Sequence, residues 1–276
     1  MEYTLNCHGQ LLDLATPQVM GILNATPDSF YADSRKQSEQ DIAERTRQIL
    51  AEGASIIDVG ACSTRPDSTP ASEAEEMERL RMALTVVRRE APEAIVSVDT
   101  FRPDVARMAV EEYGADIIND VGGEAGMFRM VSRLRVPYIY MSRKSTMRDI
   151  LLDCAEAVDT LRSMGQKDIV LDPGFGFGKT VEDNYAVMQE LERMEALRLP
   201  VLVGISRKSM IYKLLGISQE QALNGTTVLN TIALMKGASV LRVHDVKEAA
   251  EAVRIMAAMG MREAATMSQH RGPIVK

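Results

Sequence analysis

The 276 residues, 46% of them hydrophobic, can bury a substantial core, and the length suits one large α/β barrel as well as two smaller domains. A formal net charge of −7 sets the long-range field against nucleic acid and anionic membrane surfaces, so neither is expected as a partner and any anionic ligand must meet a local basic cluster. Cys7, Cys62 and Cys154 show no Cys-x-x-Cys spacing, which argues against zinc and for a reducing compartment; with no basic-then-apolar start and no apolar run near the roughly 18 residues of a span, a cytoplasmic location is expected.

Eight short β-branched runs follow in chain order: Val19–Leu23, Ile56–Val59, Ile95–Val98, Ile117–Ile118, Pro137–Met141, Ile169–Leu171, Val201–Ile205 and Val240–Val243. Amphipathic stretches of helical period lie between them, as at Ile42-Arg45-Ile49 and over Val181–Leu197, where Val187, Met188, Leu191 and Met194 recur on one side. Ser72 before Glu75 reads as a capping box, and Pro103 sits where a first helical turn should form. Strand and helix in alternation predict βαβ crossovers and a parallel sheet. Eight such units favour a closed (β/α)8 TIM barrel, a single α/β domain over 1–276, with an open doubly wound sheet as the alternative.

In such a barrel the residues just past each strand share one face. In order they are Asn24, Asp58, Asp99, Asn119 with Asp120, Ser142, Asp172, Ser206-Arg207-Lys208, and Arg242 with His244. Any one of them can be a helix cap or turn former, but eight polar ends together point to a binding ring. Asn24, ahead of Pro27, can donate to a phosphate oxygen and offer its own oxygen to Mg2+. Arg65 suits a diphosphate, although exposed arginines are usually just solvated. Arg242 and His244, two residues apart on one strand, leave the same face and are expected to grip one anion together. The run Asp172-Pro173-Gly174-Phe175-Gly176-Phe177-Gly178-Lys179 matches neither a Walker loop nor a dinucleotide fingerprint; its glycines would let a flat ring approach the backbone, with Phe177 as a wall. Asp99, Asn119, Asp172 and Lys208 supply acceptors, an amide and a cation, a set suited to the guanidine-like edge of an amino-substituted heterocycle.

From about Val19 to Val246 the sequence resembles the dihydropteroate synthases of the pterin-binding barrel family. The resemblance rests on Gly-Ile-Leu-Asn-x-Thr-Pro-Asp-Ser-Phe, Ser-Thr-Arg-Pro, Ser-Val-Asp-Thr, Asn-Asp-Val, Asp-Pro-Gly-Phe-Gly-Phe-Gly-Lys, Gly-Ile-Ser-Arg-Lys and Arg-Val-His-Asp, in that order. It implies the joining of (7,8-dihydropterin-6-yl)methyl diphosphate to 4-aminobenzoate with Mg2+, by an SN1-type displacement. It also implies that Asp99, Asn119, Asp172 and Lys208 hold the pterin, and that Asn24, Arg65, Arg242 and His244 hold the diphosphate. Thr64 and Ser206 would lie near the aminobenzoate, and the loops around Asp28 and Arg65 would order over the substrate. Asp99, Lys208, Arg242 and His244 are the implied catalytic set, and a homodimer is the implied assembly, although the apolar stretch near Val228–Met235 would serve as barrel core equally well.

Three places depart from the family pattern: Ala61-Cys62 before Ser63, Met141-Ser142 where a Met-His pair is usual, and Tyr31-Ala32-Asp33 at the end of the first loop. The departures at Cys62 and Ser142 keep a non-catalytic pterin-binding relative in view, against which the complete polar ring speaks. A methyltetrahydrofolate:corrinoid methyltransferase shares the barrel but has little use for Arg65, Arg242 and His244.

Overall fold

The computed structural model describes residues 3–25, 32–62, 71–122 and 125–260. Eight parallel strands carry the fold: β3 (Gln18–Asn24), β4 (Ile56–Gly60), β5 (Ile95–Asp99), β6 (Ile117–Asp120), β7 (Tyr138–Met141), β8 (Ile169–Asp172), β9 (Leu202–Val203) and β10 (Val240–Val243). They run in the order β8-β7-β6-β5-β4-β3-β10-β9. A parallel bridge between Leu171 and Val201, with the Leu171 N–H donating to the Pro200 carbonyl at 2.9 Å, joins the two ends, so the sheet is a barrel rather than an open doubly wound sheet.

Ahead of the barrel, β1 (Thr4–Cys7) and β2 (Gln10–Asp13) form an antiparallel hairpin that the strand periodicity did not announce. Its two-residue turn, His8-Gly9, has positive φ at both positions, the geometry that matches strand twist in tight hairpins. Leu5, Cys7, Leu12 and Leu14 of the hairpin region pack on Met20, Ile56, Ile95, Ile117, Ile139, Val170, Leu202 and Val240, one residue from each barrel strand. That layer closes the amino-terminal end of the barrel.

Strand side chains alternate, so the outward-facing neighbours of that layer, Ile57, Val96, Ile118, Tyr138, Ile169, Val203 and Leu241 among them, belong to a second cluster shared with the helices. The helices include α1 (Ala32–Ala51), α2 (Glu73–Glu90), α3 (Pro103–Tyr113), α4 (Ala125–Leu134), α5 (Met147–Ser163), α6 (Val181–Gln189), α7 (Ser209–Leu215), α8 (Leu223–Met235) and α9 (Val246–Ala258). The Ser72–Glu75 capping box starts α2, and Pro103 is the first residue of α3, as expected.

Two segments depart from the sequence reading. The helix expected over Val181–Leu197 stops at Gln189, and a 3-10 helix takes over from Leu191 to Leu197. Its three residues per turn bring Leu191 and Met194, both buried, onto one face. The strand expected over Val201–Ile205 is shorter: β9 covers Leu202–Val203, with Val201 bridging to Leu171, and the chain turns away at Ile205, where the Lys208 N–H donates to the Ile205 carbonyl at 3.1 Å.

Candidate active site

Two residues beyond the apolar layer, the same inward-facing rows become polar: Ile56 is followed by Asp58, Ile117 by Asn119, Val170 by Asp172 and Val240 by Arg242. Asp58 is therefore in the middle of β4, inside the barrel, rather than at a strand end. Its carboxylate is fully buried and accepts from Arg242 Nε at 2.6 Å and from Asn119 Nδ2 at 3.3 Å. Arg242 reaches further, its Nη2 donating to Asp99 Oδ2 at 2.6 Å. Burial pushes Asp99 up to about 6 against the pull of Arg242, with Asp58 adding to the rise. Burial disfavours the Arg242 charge, but Asp58 and Asp99 outweigh it and raise its pKa above the ordinary value. One guanidinium thus compensates two carboxylates, the fully buried Asp58 and the mostly buried Asp99.

Beside this triad, Asp172 ends β8 and accepts the Gly174 N–H at 2.7 Å, while burial raises its pKa against the opposing charge of Lys208. Gly174 has φ +73, and a Cβ there would stand 2.1 Å from the Ser142 carbonyl oxygen, so no side chain is admissible. Lys208 Nζ donates to the Phe175 carbonyl and lies 4.6 Å from the centre of the Phe177 ring. Burial brings its pKa down to about 8, with Asp172 resisting. A Cβ at Gly176 would stand 2.9 Å from Lys208 Cδ. Two glycines of the Gly-Phe repeat thus make room for the Ser142 backbone and the Lys208 stem, packing that the sequence reading did not foresee.

Asn24 is exposed at the end of β3. It lines a cleft of about 480 Å³ together with Arg45, Arg207, His244, Asp245 and Glu248. His244 is turned to Ser206: its backbone N–H donates to Ser206 Oγ at 3.1 Å and its Nδ1 lies 3.2 Å from the same oxygen. Burial, with Arg242 adding to it, lowers the His244 pKa to about 4, so the ring is neutral at pH 7. The two cations expected to grip an anion together are therefore one guanidinium already shared by Asp58 and Asp99 and one uncharged imidazole.

Asp99, Asn119, Asp172, Lys208 and Arg242 come together at the barrel mouth with Phe177, while Asn24 and His244 border the adjoining cleft and Ser206 is buried behind His244. Thr64, Arg65 and Asp28 lie outside the described residues. Two members of the expected polar ring face away from the mouth: Ser142 Oγ donates to Asp153 Oδ2 at 2.6 Å, and Asp120 accepts from the Tyr138 hydroxyl at 2.6 Å. Both are in the outward phase of the alternation, Ser142 bonded to α5 and Asp120 to the neighbouring strand β7. The sequence reading also missed Glu76. Its fully buried carboxylate accepts from Thr100 Oγ1 at 2.7 Å and from Arg102, whose Nη2 also donates to the Ala71 carbonyl at 2.6 Å. Arg79 Nη1 donates to the Ala61 carbonyl at 3.2 Å. Both described ends of the segment that carries Thr64 and Arg65 are thus tied by arginines. A glutamate in the first turns of a helix gave no signal beyond capping.

A model of the pterin binding enzymes matches residues 20–244, a span that begins in β3 and ends at His244. Over 250 residues the chain is 40% identical to the dihydropteroate synthase of Clostridium beijerinckii, covering 86% of this chain and 92% of that protein. It is 37% identical over 271 residues to the Escherichia coli K12 dihydropteroate synthase, covering 92% and 95%. Among solved structures, the Xanthomonas albilineans dihydropteroate synthase with 4-aminobenzoic acid superposes with a TM-score of 0.87 at 34% identity, covering 94% of this chain and 98% of that one. The Thermus thermophilus enzyme in complex with 4-aminobenzoate gives 0.82 at 35% identity, covering 93% and 100%. The chain belongs to the pterin binding enzyme family and, within it, to the dihydropteroate synthases.

Proposed function

We propose that this chain, acting as one barrel domain, condenses (7,8-dihydropterin-6-yl)methyl diphosphate with 4-aminobenzoate to give 7,8-dihydropteroate and diphosphate. The observation that carries this reading is the charge-compensated array of Asp58, Arg242 and Asp99 beside Lys208 and Phe177 at the mouth of a barrel of this family. Asn119 and Asp172 take the polar edge of the pterin, Lys208 donates to it, and the Phe177 ring forms a wall. The bond from the exocyclic methylene to the diphosphate oxygen breaks first, and the oxygen keeps the electron pair. The cation left on the pterin side is stabilised by the ring and by the nearby Asp99 carboxylate. The aminobenzoate nitrogen then forms the new C–N bond and gives up one proton, and no Ser-His-Asp or Cys-His constellation is needed for it. Thr64 is assigned to the aminobenzoate side and Arg65 to the diphosphate by resemblance alone, whereas Ser206, which the resemblance also places near the aminobenzoate, has its hydroxyl turned to His244.

Mg2+ fits the donor set. The interior carboxylates Asp58 and Asp99 are engaged by Arg242, and among the described residues no group of three or more His, Cys, Asp or Glu side chains could hold a metal. The exposed Asn24 oxygen would contribute one protein ligand beside diphosphate oxygens and water, a sharing that Mg2+ accepts. Bound there, it would neutralise charge on the leaving diphosphate.

The protein acts in the cytoplasm as a homodimer. Its cysteines are free, and no described helix is long and apolar enough to cross a membrane. Exposed apolar side chains on neighbouring helices, Leu214 and Leu215 on α7, Val228 and Met235 on α8, and Ile255 on α9, supply a face for a second copy. Sedimentation as a monomer would remove the dimer. Diphosphate release should require both the pterin diphosphate and 4-aminobenzoate; absence of an aminobenzoate-dependent product overturns the synthase reading.

A further inference from the structure

His244 leaves the end of β10 with its backbone held on both sides. Its N–H donates to Ser206 Oγ at 3.1 Å, and its carbonyl accepts from Arg45 Nη2 at 2.6 Å. Ser206 is 4% exposed, and the next residue, Arg207, sits at φ +55 with its N–H donating to Thr226 Oγ1 at 3.1 Å. The hydroxyl is therefore placed by the turn that follows β9.

A backbone N–H can only donate, so Ser206 Oγ accepts from it, and the hydroxyl's own proton needs another partner. The atom within reach is His244 Nδ1, 3.2 Å away. Were Nδ1 to carry the proton instead, Ser206 Oγ would accept twice and its buried hydroxyl hydrogen would have no acceptor among the described residues, a costly arrangement. Nδ1 is thus the acceptor, and the ring proton resides on Nε2.

The surroundings agree. The charged groups acting on the ring are Arg242 on its own strand, Arg45 from α1, Arg207 ahead of α7, and Asp245. Only Asp245 favours an imidazolium, and it is engaged by Arg207 through Nε at 3.0 Å and Nη2 at 2.6 Å. Burial and Arg242 hold the ring's pKa near 4, which leaves it uncharged at pH 7.

We propose that Ser206 is a positioning residue that locks His244 as its Nε2–H tautomer, so that this ring meets the leaving diphosphate as a neutral hydrogen-bond donor rather than as a cation. A neutral donor stabilises the departing oxygens without adding a charge that would retain the product beside Asn24. The tautomer follows from Ser206 alone; its use in diphosphate departure rests on the synthase reading above.

The two parts are tested separately. In free enzyme labelled with 15N-histidine at pH 7, the His244 signal, assigned among His8, His244 and His270 by its loss in His244→Gln, should show an unprotonated Nδ1 and a protonated Nε2. Ser206→Ala should mix the tautomers and Ser206→Thr should restore the pattern. A protonated Nδ1 or an imidazolium in the wild type, or an unchanged pattern in Ser206→Ala, overturns the assignment. In turnover, Ser206→Ala should lower kcat about tenfold, the scale for losing a histidine's orienting partner, with the KM for 4-aminobenzoate unchanged. A raised KM for 4-aminobenzoate at unchanged kcat would make Ser206 a contact for that substrate and overturn the positioning role. If the wild type releases no diphosphate, the synthase reading fails while the labelling result still decides the tautomer.

Discussion

The two ends of the barrel are built from the same strands and have opposite chemistry. At the amino end one apolar residue per strand meets Leu5, Cys7, Leu12 and Leu14 of the hairpin region, and that layer is buried and apolar. Two residues further along the same rows, Asp58, Asn119, Asp172 and Arg242 face inward, and their order comes from hydrogen bonds and opposite charge. Dispersion and burial hold the first end, where each lost methyl group costs on the order of 1 kcal/mol of stability. The second end is held by ions, each of which is costly to strand.

The strongest way to break this contrast is to remove the one cation between two carboxylates. Arg242→Met should lower kcat/KM about a thousandfold, on the order of 4 kcal/mol, and also lower the melting temperature, because Asp58 and Asp99 are left uncompensated. Adding Asp58→Asn should recover stability but not activity. A loss of under tenfold in steady-state assays would reduce the triad to scaffolding. Next in size, Asp172→Asn should weaken pterin binding by about 2 kcal/mol, the scale of a charged hydrogen bond, in a calorimetric titration.

A milder perturbation is pH. Asp99, raised to about 6, gains a proton and loses its negative charge as pH falls below that value; Lys208, lowered to about 8, loses its positive charge as pH rises above it. If both charges are needed, kcat/KM is greatest between pH 6 and 8 and falls on each side, with limits that belong to the coupled cluster rather than to single residues. A flat profile would mean that neither charge is used. The smallest effect on activity belongs to the plug. Leu5→Ala should cost about 3 kcal/mol of stability in urea unfolding yet leave kcat within about twofold. A large fall in kcat would show that the two ends are coupled.

Much of this was legible in residue order. The eight strands follow from β-branched runs, and the motifs that carry the family resemblance contain Asp99, Asn119, Asp172, Lys208 and Arg242. The hairpin is not announced because, although β1 alternates between exposed Thr4 and Asn6 and buried Leu5 and Cys7, neither of its strands carries the β-branched run that marks the barrel strands. Ser142 and Asp120 were placed in the ring because being next to a strand end does not state the phase of the pleat there. Asp58 could have been read as interior, since it stands two residues after Ile56.

Sequence by itself determined which strands build the barrel, which residues are polar near their ends, and the family, since these depend on local pattern and on residue identity in order. Tertiary structure decided the electrical state of the site. Arg242 spans from β10 past β3 to carboxylates on β4 and β5, and His244 loses its charge in the company of Arg242 and Ser206. Neither outcome is written locally, because desolvation and the pairing of charges depend on which strands become neighbours when the barrel closes.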